Sequence, residues 1–244
     1  MTGLKRILAL GVTLLIPASV SAGIITIDDF SVDQTIGTVG PSGSDIAVGV
    51  EDASILGGQR DVQLVRNPVA TNTSNVSGGK MTWTFLENSS SSGFINNFVS
   101  YDGVDNNFAR FPQFSPGLSS GGAGFDFTQG GILDAFEFDL GTISENLSQG
   151  LRLLVQVQDD SASFGTSQIV LTDAMSNTSL QIPFSSFTGR DFENIRNVMF
   201  FIGGGAFTGQ AATVEFDAFR AVPEPASILL LAAGGLSLML RRRR

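Results

Sequence analysis

The chain has 244 residues, of which 14 are basic and 23 acidic, and it contains neither histidine nor cysteine. These absences exclude a Ser-His-Asp triad, a cysteine nucleophile, a disulfide and a zinc site of nitrogen and sulfur ligands. Residues 23–222 hold eight basic and 22 acidic residues, a net charge of −14, so this body repels phosphate backbones and we expect no nucleic-acid partner.

The N-terminus has the organisation of a secretory signal peptide. Lys5 and Arg6 precede an apolar run over residues 7–16, and small residues follow up to Ala22. Ala22 fits the small pocket of signal peptidase at position −1. We therefore predict a signal peptide over residues 1–22, cleaved between Ala22 and Gly23.

The body between the two chain ends alternates apolar and polar residues with a period of two. Phe136 and Phe138, for example, alternate with Glu137 and Asp139, which puts aromatic rings on one face of a strand and carboxylates on the other. The same reasoning predicts strands over residues 24–30, 46–50, 61–66, 81–86, 93–99, 135–140, 151–157, 169–172, 179–184, 198–202 and 213–220.

The spacing of these strands predicts the fold class. The segments between them are rich in turn-forming residues, and the chain has 29 glycines. Many short strands with no helical stretch between the two ends favour an all-β protein. We predict one β-sandwich of the jelly-roll type over residues 23–221.

The C-terminus combines three features in a fixed order. Pro223, Glu224 and Pro225 come first, residues 226–240 follow without a single charge, and Arg241, Arg242, Arg243 and Arg244 end the chain. A helix of fifteen residues is about 22 Å long, shorter than the roughly 30 Å hydrocarbon core of a bilayer. The arginines favour a cytoplasmic end, which leaves the body on the far side of the membrane.

This tail resembles the PEP-CTERM sorting signal of Gram-negative and cyanobacterial-type bacteria that make exopolysaccharide. The resemblance implies that residues 222–244 form the sorting signal, and that an exosortase in the inner membrane recognises its Pro-Glu-Pro and processes the protein. The body would then reach the cell surface or the extracellular polysaccharide matrix. An ordinary tail anchor, with a short transmembrane helix at residues 226–240, is the alternative.

The body carries a second resemblance. The segments FEFDL, QIPFSSF and VEFDAFRAV, together with TIDDF near the start, are similar to parts of galactose-binding-like jelly rolls. In that family the first and last strands are neighbours and often share a structural calcium. The resemblance implies calcium ligands at Asp28, Asp29 and Asp217, although solvated strand carboxylates explain the same residues.

Two aromatic residues are candidates for glycan binding. Trp83 and Tyr101 are the single tryptophan and the single tyrosine of the chain, and either ring could stack on a sugar. Trp83 shares a predicted strand face with Met81 and Phe85, which favours a place in the core for it.

Together these features predict an exported, non-catalytic protein whose sandwich binds extracellular polysaccharide. A purely structural or adhesive matrix protein is one alternative, and a carboxylate-based polysaccharide hydrolase is another. No pair of acidic residues stands out by motif as a general acid and base, so we do not expect an enzyme.

Overall fold

The computed structural model describes residues 23–66, 70–87, 95–105, 117–119, 124–144, 151–160, 163–204 and 211–223. These ranges contain short 3-10 turns at Leu56–Gly58, Asp173–Met175 and Phe184–Ser186. They also contain the strands β1 (Ile25–Asp28), β2 (Gln34–Val39), β3 (Ile46–Glu51), β4 (Gln59–Leu64), β5 (Ala70–Ser77), β6 (Lys80–Glu87), β7 (Ile95–Tyr101), β8 (Ala135–Ser144), β9 (Leu151–Asp159), β10 (Phe164–Leu171), β11 (Ser179–Pro183), β12 (Ile195–Gly204) and β13 (Ala211–Val222).

The strands form two antiparallel sheets that pack face to face. The seven-stranded sheet has the order β11-β8-β13-β6-β5-β2, with β1 also paired to β13. The six-stranded sheet has the order β10-β9-β12-β7-β4-β3. The chain passes from one sheet to the other several times, and the predicted all-β sandwich is confirmed.

The last strand organises the seven-stranded sheet. β13 pairs with β8 on one side, while on its other side β6 pairs with Ala211–Phe216 and β1 pairs with residues 219–221. Arg220 has both Thr26 and Glu137 as register partners, so β1 and β8 flank it. The first and last strands are therefore neighbours, as the resemblance to jelly rolls implied.

Aromatic rings fill the space between the sheets. Phe138 and Phe219 of the seven-stranded sheet stack with centroids 4.3 Å apart, and Phe200 of the six-stranded sheet lies 5.2 and 5.6 Å from them. All three rings are fully buried. Each such burial stabilises the fold by about 1.5–3 kcal/mol relative to an exposed ring, which lets the core form without a disulfide.

The predicted strands all coincide with observed ones, although their ends differ by several residues. Two strands, β2 and β5, were not predicted. In the described ranges no helix is long and apolar enough to cross a membrane. The predicted signal peptide at residues 1–22 and the predicted membrane helix at residues 226–240 lie outside those ranges.

Candidate functional site

Asp28, one of the three predicted calcium ligands, belongs to a hydrogen-bond network inside the sandwich. It is 1% exposed, and its Oδ2 accepts hydrogen bonds from Nη1 of Arg60 at 2.8 Å and from the Tyr101 hydroxyl at 3.0 Å. Arg60 is also fully buried and donates to Gln34 and to the carbonyl of Val32. Burial raises the pKa of Asp28, and the Arg60 guanidinium offsets part of that rise. The expected calcium ligand is instead the partner of a buried arginine.

The other two predicted ligands lie in different places. Asp29 accepts a hydrogen bond from the Ser31 backbone at 3.0 Å in an exposed turn, and hydrogen bonds from Ser31 lower the pKa of Asp29. Asp217 lies on the outer face of the seven-stranded sheet, with its Oδ1 3.4 Å from Nζ of Lys80. The described residues contain no group of three acidic side chains placed to hold a metal ion. The prediction of one calcium site shared by Asp28, Asp29 and Asp217 is corrected accordingly, and calcium binding elsewhere on the acidic body stays a prediction.

The two predicted sugar-stacking rings are both inside the core. Trp83 and Tyr101 each have 0% exposure. The Trp83 centroid lies 5.6 Å from those of Phe200 and Phe216, and Tyr101 lies 6.0 Å from Phe219. Neither ring can contact a glycan, so both assignments are corrected, and the alternative place of Trp83 in the core is confirmed.

A different aromatic surface lies on the outer face of the six-stranded sheet. Phe201 is half-buried there and packs against Phe98, with ring centroids 5.0 Å apart. Phe98 is 3% exposed, so it supports Phe201 from the side. The register places five side chains in one line across the sheet, which we call the aromatic row: Gln168, Leu154, Phe201, Phe98 and Gln63.

A second line of side chains runs beside the aromatic row. We call it the polar row, and in strand order it consists of Thr166, Gln156, Met199, Ser100 and Asp61. Nε2 of Gln156 donates to Oγ1 of Thr166 at 2.9 Å, so this amide is already oriented. Met199, Ser100, Asp61 and Phe98 are at most 3% exposed, so the continuous accessible part of the two rows is Gln168, Leu154 and Phe201 beside Thr166 and Gln156. With strands about 4.8 Å apart, the three aromatic-row positions span about 10 Å, enough for one or two sugar rings.

The polar row ends at a pair of buried acids. Asp61 is 3% exposed and Asp102, which follows β7, is 1% exposed. Nε2 of Gln59 donates to Oδ1 of Asp61 at 2.8 Å, and the Asp105 backbone donates to Oε1 of the same glutamine at 2.7 Å. Burial together with the charge of Asp102 raises the pKa of Asp61 to about 8, and burial together with the charge of Asp105 raises the pKa of Asp102 to about 7. The pair therefore keeps protons near neutral pH.

This arrangement has the chemistry of a polymer-binding face. An aromatic ring offers a flat apolar surface to the C–H face of a sugar, and amides both donate and accept hydrogen bonds as sugar hydroxyls require. The sequence signal was the pair Phe200 and Phe201 within one apolar run. Only the strand register shows which of these two rings points outward.

The end of the chain matches a family model over residues 221–244, described as the PEP-CTERM protein-sorting motif. The tail is a PEP-CTERM sorting signal. This motif implies export through the membrane and processing by an exosortase, and it includes the Pro-Glu-Pro and the four arginines. Of the PEP-CTERM segment, the structure describes residues 221–223.

The sandwich is similar to several carbohydrate-binding modules. One is the family 11 module of the cellulosomal cellulase Lic26A-Cel5E of Clostridium thermocellum, with 14% identity, a TM-score of 0.38, and coverage of 83% of this chain and 95% of that one. Another is the family 30 module of the cellulase Cel9D-Cel44B of the same organism, with 11% identity, a TM-score of 0.35, and coverage of 83% and 98%. At these values the likenesses carry no information about a ligand or its contact residues. The comparison with curated proteins finds no match.

Proposed function

We propose that the protein is an exported, non-catalytic module that binds neutral extracellular polysaccharide on the aromatic row. The observation that carries this proposal is the half-buried Phe201 on an outer sheet face, between Leu154 and the buried Phe98. The amide side chains Gln63 and Gln168 lie at the two ends of the same row. An aromatic residue in this setting gives the contact area from which binding surfaces obtain much of their free energy.

The charge of the body decides which polymers fit. Residues 23–222 carry a net charge of −14, so an acidic polysaccharide is repelled as it approaches. The aromatic row itself contains no charged side chain. A neutral polysaccharide therefore matches both the local surface and the long-range field.

The buried acid pair favours binding over hydrolysis. Retaining glycosidases separate their two carboxyl groups by about 5–5.5 Å and inverting ones by about 6.5–9.5 Å. Asp61 and Asp102 are close enough for the charge of Asp102 to raise the pKa of Asp61, and each is nearly inaccessible to solvent. A carboxylate hydrolase needs an acid and a base that reach the substrate from opposite sides of the scissile bond.

The proposal is tested by affinity electrophoresis of the full chain in detergent, in gels that contain extracellular polysaccharide from the producing culture. We expect the protein to be retarded, and we expect Phe201→Ala to weaken binding about tenfold or more. Leu86→Ala is the matched control, because Leu86 is 48% exposed on the outer face of the other sheet.

Two results would contradict the proposal. Equal migration with and without polysaccharide would show no binding and would favour the structural or adhesive role. Release of reducing ends from the polysaccharide would instead support the hydrolase.

For the route of export, we propose cleavage by signal peptidase between Ala22 and Gly23, a transient stay in the inner membrane, and recognition of Pro-Glu-Pro by an exosortase. The body then reaches the cell surface or the exopolysaccharide matrix of a Gram-negative or cyanobacterial-type bacterium. Glu224→Ala should leave unprocessed protein in the membrane fraction, while Ser227→Ala should be processed normally. Equal processing of the two variants would favour a simple tail anchor.

A further inference from the structure

The edges of the two sheets differ in how well they are protected against pairing with another chain. Edge strands present unpaired backbone groups, and proteins commonly block them with prolines, charges, bulges or short length. β11 has five residues and ends at Pro183, and β2 is interrupted by a bulge at Gly37. β3 ends at the exposed Glu51. Each of these edges therefore carries an obstacle to further pairing.

Among the described residues, the remaining edge, β10, has no proline, charge or bulge of its own, and the Arg190 side chain packs against it at Gly165, near its start. β10 runs for eight residues in unbroken register with β9, and its sequence FGTSQIVL contains no charge and no proline. Phe164 is 40% exposed and Val170 is 46% exposed, so two large apolar side chains of this edge face solvent. β9 carries Arg152, the register partner of Val170, and ends at Asp159, which pairs with Arg190. Arg152 therefore reduces the acidic character of the body at the Val170 end of β10.

The sequence of β10 is also complementary to itself. In an antiparallel pair, residues directly opposite each other lie on the same face of the sheet. If two copies of β10 pair with Ser167 at the centre, Phe164 of one copy lies opposite Val170 of the other. Thr166 then lies opposite Gln168 on the same outer face. A shift by one residue in either strand would put outward side chains opposite inward ones.

We propose that β10 is the contact through which two copies of this chain form a symmetric dimer. The six-stranded sheets of the copies join into one twelve-stranded sheet, with two Phe164 to Val170 contacts related by the two-fold axis. The polar and aromatic rows of the two copies then meet at the junction, because Thr166 of one lies opposite Gln168 of the other. The dimer does not depend on glycan binding.

The first test is the molar mass of the full chain in detergent, measured by sedimentation velocity over a range of protein concentrations. We expect a dimer for the native chain and a monomer for Val170→Lys, which places a charge opposite Phe164 and beside Arg152. Leu86→Lys is the matched control on the other sheet and should remain dimeric. A native monomer at all concentrations, or a Val170→Lys dimer held by another segment such as the tail, would overturn the proposal.

The second test uses the absence of cysteine from the chain. Across an antiparallel pair, opposite Cα atoms are about 4.5–5.5 Å apart, within the range that a disulfide spans. Ser167→Cys should therefore form an intermolecular disulfide under mild oxidation, because the two copies of residue 167 face each other. Thr166→Cys should not, because its counterpart is two residues further along. Equal cross-linking of both variants, or of neither, would contradict the register.

Discussion

Asp28 and Asp61 are both almost fully buried carboxylates, yet their surroundings are opposite in kind. Asp28 lies between the sheets, and Arg60, Tyr101 and a backbone N–H all donate to it. Asp61 lies on the outer face of the six-stranded sheet, and its charged neighbours among the described residues are Asp102 and Asp105. The first site compensates its buried charge, whereas the second avoids charge by retaining protons.

The difference separates residues that serve stability from residues that serve a surface. A buried ion pair is strongly destabilising only when one partner is removed. Two buried acids in contact lower the stability of the intact protein at any pH at which both would ionise. Arrangements that lower stability, such as two neighbouring buried acids, are common at functional sites. The Asp61 and Asp102 pair lies at the end of the polar row.

Removal of the arginine should have the largest effect. Arg60→Met keeps the volume of the side chain but leaves Asp28 buried without its cation, and we expect a loss of about 3–5 kcal/mol in the free energy of unfolding. Urea denaturation measures it. Arg66→Met is the control, since the exposed Arg66 donates to the carbonyl of Pro41 at the surface, and it should change stability by less than about 1 kcal/mol.

The double variant sharpens this result. In Arg60→Met combined with Asp28→Asn no uncompensated charge remains, so part of the lost stability should return. Equal losses in the single and double variants would show that packing around Arg60, and not its charge, stabilises the interior.

The acid pair should make the protein less stable as the pH rises. The folded state holds protons on Asp61 and Asp102 up to about pH 8 and 7, whereas unfolded aspartates lose theirs near pH 4. Between those limits the folded state binds more protons, so the stability is greatest in mild acid and falls towards pH 8. Asp61→Asn should raise the free energy of unfolding at pH 8 by at least about 2 kcal/mol and change little at pH 4.

Thermal unfolding of both proteins across this pH range measures the effect. Asn keeps the oxygen that accepts from Gln59, so the variant should fold normally. An unchanged slope of stability against pH in Asp61→Asn would contradict the raised pKa of Asp61. Asp45→Asn, at an exposed carboxylate that accepts from the Arg66 backbone, is the matched Asp→Asn control at the surface.

The smallest effect is expected at the Tyr101 hydroxyl. Tyr101→Phe removes one of three donors to Asp28 but leaves Arg60 in place, and we expect a loss of about 1 kcal/mol. A loss as large as that of Arg60→Met would mean that the hydroxyl, and not the guanidinium, is the main partner of Asp28. The same denaturation series provides the comparison.

The strands that follow strict alternation could be predicted from the sequence, whereas β2 and β5 could not. The inward positions of β5 hold Asn72 and Ser74 between Ala70 and Val76, so no apolar stripe marks that strand. β2 contains Gly37 at a bulge, which breaks the period of two. β2 and β5 form because they pair with neighbouring strands, and their own alternation of apolar and polar residues does not indicate this pairing.

The candidate site could not be predicted from the sequence, because its residues are brought together by the strand register. A register shift between Thr26 and Asp28 turns both Ile27 and Asp28 inward, so TIDDF could not reveal that Asp28 is buried. The run Val198–Ile202 is apolar at every position, and pairing with β7 and β9 decides that Phe201 faces outward. The sorting signal needed no such information, because its residues are contiguous in the chain.

The most direct test of the central claim is carbene footprinting of the full chain with and without saturating neutral polysaccharide from the producing culture. The account predicts that polysaccharide decreases the labelling of Phe201, Leu154 and Gln168 of the six-stranded sheet. The labelling of Leu86 and Lys80 of the other sheet should not change. Protection confined to the seven-stranded sheet, or no protection at saturation, would contradict it.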